Sequence, residues 1–71
     1  MSQTSKYSNQ DLDKVITALK VAIEAQKAPA ALSMMALGET VADVIRNNYP
    51  EQKAHITEQF CQALKGILKD S

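Results

Sequence analysis

Tryptophan is absent from the 71 residues, and cysteine and histidine occur once each. Cys61 alone cannot close an intramolecular disulfide, and a single free thiol fits a reducing compartment. Charge of either sign in excess is also missing, since eight basic side chains face eight acidic ones. The balance holds locally. Lys6, Lys14, Lys20 and Lys27 stand against Asp11, Asp13 and Glu24; Arg46 stands against Glu39 and Asp43; Lys53, Lys65 and Lys69 stand against Glu51, Glu58 and Asp70. Neutralising duplex phosphates takes clustered Lys and Arg, and one arginine without a basic stripe argues against it. No stretch approaches the ~18 consecutive apolar residues of a membrane-spanning helix. Residues 1–7 are polar, so no secretory leader is expected. These absences point to a cytoplasmic protein.

Strand signals are missing too. There is no run of alternating β-branched residues and no Asn-Gly or Asp-Gly turn. Two prolines and two glycines punctuate the chain. The expected class is all-α, with a flexible tail over residues 1–7 and a single three-helix domain over residues 8–71. At this size apolar burial and the entropy of ordering nearly cancel, so a lone monomer has little margin. Zero net charge puts no long-range barrier in the way of self-association.

Helix one is expected to start after Ser8. Ser8 and Asp11 have the spacing of a capping box, and Tyr7 and Leu12 that of a hydrophobic staple. Leu12, Val15, Ile16, Leu19, Ala22 and Ile23 then cover an arc of about 120°, one ordinary core-facing stripe. Pro29 ends this helix and suits the first turn of the next.

Helix two, running to about Asn47, carries a wider apolar face. Met34, Met35, Leu37, Gly38, Val41, Ala42, Val44 and Ile45 span roughly 180°, against the ~100° or slightly more of a surface helix. Such a helix is buried by more than one neighbour. Adjacent methionines make an adaptable apolar surface, though they also serve as plain core. Gly38 and Ala42 form a small-x-x-x-small notch, at the ~1 kcal/mol cost of a mid-helix glycine. Two readings of the notch stay open: close packing within the chain, or against a second one. The face assigned to a dimer interface is Met34, Met35, Leu37, Gly38, Val41, Val44 and Ile45.

Pro50 suits the N1 position of helix three, with Glu51 near its positive dipole end. Ile56, Phe60, Cys61, Ala63, Leu64, Ile67 and Leu68 occupy an arc of about 160°. Lys65 and Lys69 sit in the last turns, where cations are favoured.

Chemistry is sparse. On one helix His55 and Cys61 point about 120° apart, with Glu58 between them. They cannot converge on one zinc ion, which needs three or four N, S or O ligands. The same separation keeps His55 from activating Cys61. There is no glycine-rich phosphate loop and no Ser-His-Asp set. Glu39 and Asp43 read as a solvated face, with Arg46 placed for an i, i+3 pair with Asp43. No enzymatic activity, metal or cofactor is expected.

Ser5-Lys6-Tyr7-Ser8, Lys27-Ala28-Pro29, Leu32-Ser33-x-Met35-x-Leu37-Gly38 and Phe60-x-x-Ala63-Leu64 together resemble the YejL family of small bacterial proteins. The resemblance covers nearly the whole chain. It implies an intertwined homodimer of three-helix subunits and leaves the activity open. Relatives often carry an acidic cap where this chain has Ala31, so helix two is expected to start at Pro29 or to fray. The leading expectation is a non-catalytic homodimeric module acting through an unknown protein partner. The alternatives are a nucleic-acid-associated regulator and a ligand or metal site formed only between subunits.

Overall fold

The computed structural model describes residues 7–70. Six residues of the expected tail and Ser71 lie outside it; Tyr7, the tail's last residue, is exposed. The fold is all-α, with α1 at Asn9–Ala25, α2 at Ala30–Asn48 and α3 at Lys53–Lys69. No strand occurs among the described residues. No helix among them is long and apolar enough to cross a membrane. The chain divides into two compact units, Met1–Ser33 and Met34–Ser71, with the division inside α2.

The first unit is framed by its caps. Ser8 is in extended backbone, and its Oγ accepts from the Asp11 N–H at 3.0 Å. The Asp11 carboxylate returns the bond, accepting from the Ser8 N–H at 3.2 Å. This is the capping box read from the sequence. Tyr7, Leu12 and Val15 line one shallow hollow with Asp11, as a staple would place them.

The other end of α1 closes differently from a plain proline stop. The Lys27 N–H donates to the Glu24 carbonyl at 3.0 Å and the Ala28 N–H to the Ile23 carbonyl at 3.3 Å. With Lys27 at φ 53°, these bonds make a Schellman motif without its usual glycine. Ile23 and Ala28, the pair that meets across such a motif, are half-buried. Pro29 follows immediately, and its carbonyl accepts from the Ser33 N–H at 2.9 Å and from the Ser33 hydroxyl at 3.1 Å. Pro29 thus stands just before α2 rather than inside its first turn.

In the second unit α2 and α3 are joined by a tight turn. Here the expected helix start is corrected. Pro50 is not at N1 of α3, which begins at Lys53 after Gln52. The Gln52 N–H donates to the Tyr49 carbonyl at 3.0 Å, closing a β-turn with Pro50 at its second position. A proline φ near −65° suits that position as well as a helix N1, so the residue type alone does not choose. Gln52 makes no side-chain cap bond, and the first bond of α3 runs from the Ile56 N–H to the Gln52 carbonyl at 2.9 Å. Lys69 lies in the last turn, as expected.

Candidate interaction surface

Two helices joined by so short a turn run antiparallel, and each offers an i, i+4 ridge. On α2 the ridge is Leu37, Val41 and Ile45, continued by Tyr49 just past the helix end; on α3 it is Ile56, Phe60 and Leu64. Ile45 is 8% exposed and is the one buried hydrophobic residue among those described. It lies where the two helices are closest to their shared turn. Further along, the ridges border open space.

That space consists of two apolar hollows. One, about 280 Å³, is lined by Met34, Leu37, Gly38, Val41, Phe60 and Leu64. The other, about 230 Å³, is lined by Val41, Val44, Ile45, Ile56 and Phe60, together with Thr40 and Tyr49. Val41 and Phe60 belong to both, so the hollows form one furrow along α2 and α3. The polar groups on α2 bond elsewhere. The Thr40 hydroxyl donates to the Ala36 carbonyl at 2.8 Å, and the Asn48 amide to the Val44 carbonyl at 2.8 Å. Arg46 pairs with Asp43, the i, i+3 pair expected on the wet face.

Six of the seven residues assigned to the apolar face line this furrow: Met34, Leu37, Gly38, Val41, Val44 and Ile45. Met34 is 72% exposed. Met35, at 69%, is exposed outside both hollows. A Cβ placed on Gly38 meets nothing within 4 Å among the described residues. The opposite wall comes from Ile56, Phe60 and Leu64, members of the apolar stripe of α3, which spacing along one helix does not tie to a face of another. Tyr49 carried no periodic signal because it stands beyond the end of its helix.

The chemically active residues remain apart. Cys61 is an exposed free thiol. Glu58 accepts from the Gln62 amide at 3.0 Å. Among the described residues no three His, Cys, Asp or Glu side chains are grouped to hold a metal ion.

Comparison with known proteins adds a family. A family model described as a protein of unknown function (DUF1414) matches residues 26–66. That span contains every residue lining the furrow. A UPF0352 protein of Shewanella piezotolerans is 40% identical over all of this chain and all of its own length. One from Shewanella halifaxensis is 40% identical over 97% of each chain. One from Aeromonas salmonicida is 41% identical over 90% of this chain and 85% of its own. No solved structure matches the chain.

Proposed function

The chain belongs to the YejL family, the UPF0352 proteins with the DUF1414 region, and from that premise we propose that it works as a non-catalytic homodimeric module with a core shared between intertwined subunits. One observation carries the reading: the furrow on α2 and α3 is apolar and open, and it is lined by a glycine at which an added Cβ would meet no described atom within 4 Å. Water against such a surface is costly, at about 25 cal/mol per Å² of apolar area. A mid-helix glycine there costs a further ~1 kcal/mol relative to alanine. Both costs are offset if another backbone enters the notch.

A second copy is the partner that the rest of the chain favours. Eight positive and eight negative side chains leave no net charge to oppose self-association. A two-fold dimer supplies a second furrow and a second α1 stripe at once. The action of the dimer is then to present surface to a protein partner. Its ionisable groups support this in one respect: His55, Glu58 and Cys61 fan out around α3 rather than converge.

Sedimentation equilibrium at micromolar concentration tests the proposal. A mass of twice 7.8 kDa is expected. A stable, well-packed monomer over the whole concentration range overturns it.

A further inference from the structure

Three methionines occur in the chain, and two of them, Met34 and Met35, stand side by side on α2. Both are open to solvent in the single chain, at 72% and 69%. Their surroundings differ. Met34 lines a hollow with Leu37, Gly38, Val41, Phe60 and Leu64, whereas Met35 lines neither hollow of the furrow. No residue lining the Met34 hollow carries a hydrogen-bond donor on its side chain. The hydroxyls that flank Met34 on α2 are already committed. Ser33 donates to the Pro29 carbonyl at 3.1 Å, and Thr40 to the Ala36 carbonyl at 2.8 Å. A thioether suits such a hollow and a sulfoxide does not. Burying the S=O acceptor without a donor forfeits the bonds it makes with water.

Resting on the homodimer reading, we propose that Met34 is a site of reversible oxidation by hydrogen peroxide, and that its sulfoxide keeps the chains apart. Met35 takes the same oxidation without that effect. The chemistry balances with peroxide as the one co-reactant. A lone pair of the Met34 sulfur attacks one peroxide oxygen, so that an S–O bond forms as the O–O bond breaks. The departing hydroxide takes the proton of the new S–OH group and leaves as water. Sulfur gives up two electrons and peroxide gains them.

Association gates the reaction. In the proposed dimer Met34 is covered, so peroxide reaches it on separated chains. Once formed, the sulfoxide opposes re-association, and oxidised chains accumulate. Burying one hydrogen-bonding group without its partner weakens binding by about tenfold. Two-fold symmetry places two sulfoxides in every oxidised dimer, so the dissociation constant is expected to rise about a hundredfold. Methionine sulfoxide reductases, one for each sulfoxide epimer, restore the thioether and make the device reversible.

The test uses the full chain with Cys61→Ser, which removes the exposed thiol as a competing target. Met35→Leu and Met34→Leu are made in that background, leaving Met34 or Met35 in turn; leucine is close to methionine in volume. The Cys61→Ser parent is treated alongside, so the comparison with Met34→Leu stands even without Met35→Leu. Each protein is treated with hydrogen peroxide at micromolar concentration, and its sulfoxides are located by peptide mass spectrometry. Sedimentation equilibrium gives the dissociation constant before treatment, after it, and after both reductases. Each variant is compared with its own untreated sample, which cancels the effect of the substitution itself. The expected result is a rise of about a hundredfold wherever Met34 is present, no change where Met35 alone remains, and recovery after reduction. If untreated chains dimerise and chains oxidised at Met34 dimerise as tightly, this inference fails while the homodimer stands. An equal loss with and without Met34 also overturns it, and so does a Met34 that stays a thioether where Met35 is converted. If untreated chains are monomeric, both readings fail.

Discussion

Lys27 is the one non-glycine residue with positive φ among those described, at 53°. A left-handed L-residue costs roughly 1–2 kcal/mol in steric strain. The Schellman bonds of Lys27 and Ala28 over-determine the conformation, and a cation at this position, just past the C-terminal end of α1, is favoured by the helix dipole. Lys27→Gly removes the strain. It also removes a charge–dipole attraction of about 0.3–1 kcal/mol and adds unfolded-state entropy. Release of strain outweighs these losses, so a net gain of about 0.5 kcal/mol is expected, a rise in Tm of about 2–4 °C at fixed protein concentration. In 1 M salt the attraction between lysine and helix end is screened, and the gain grows. A drop in Tm in both buffers would show that the turn has no strain to release. The two glycines make a sharper pair. A Cβ added at Gly38 or at Gly66 would meet no atom within 4 Å. In a lone chain each change to alanine stabilises its helix by up to ~1 kcal/mol. Gly66→Ala is expected to raise Tm. Gly38→Ala is expected to loosen self-association, and Gly38→Leu to cost about 1–3 kcal/mol by overpacking the notch. Equal gains for both alanines with unchanged association would remove Gly38 from the interface.

At the scale of elements, the start of α1 hangs on one reciprocal pair of bonds. Ser8→Ala deletes the acceptor for the Asp11 N–H and is expected to cost about 1 kcal/mol, with Ser8→Asp restoring most of it. Amide exchange over the first turn of α1 reads the change directly; protection in Ser8→Ala equal to wild type would mean that the box holds nothing in place. This end was legible because capping chemistry is local: two side chains three residues apart suffice. The start of α3 was not. Pro50 satisfies a helix N1 and a turn position with the same φ, and what decides is a bond from Gln52 back to Tyr49 that no composition rule encodes. The furrow falls between these cases. The excess apolar arc of α2 was visible residue by residue, and six of its seven assigned residues line the hollows. Its other wall depended on how α2 and α3 face each other, which periodicity on separate helices leaves undetermined. Phe60 lines both hollows, yet on α3 alone it is one apolar residue among several.

At the scale of the whole molecule, Ile45 is the one buried hydrophobic residue among those described, and in the proposed dimer the stability belongs to the assembly. If the shared core forms only on association, folding and dimerisation are one equilibrium, and Tm depends on concentration by mass action. A hundredfold rise in protein concentration contributes about 2.7 kcal/mol per dimer. For a dimer of about 140 residues that corresponds to a rise in Tm of roughly 5–10 °C. Thermal melts followed by circular dichroism from about 1 to 100 μM make the measurement. Substituting Phe60→Ala, which enlarges the furrow where its two hollows join, is expected to lower Tm at every concentration while keeping the slope, because it weakens the shared core without abolishing association. A Tm that stays constant across the concentration range, with sedimentation showing a monomer throughout, means that the core is complete within one chain and that the open furrow has another use.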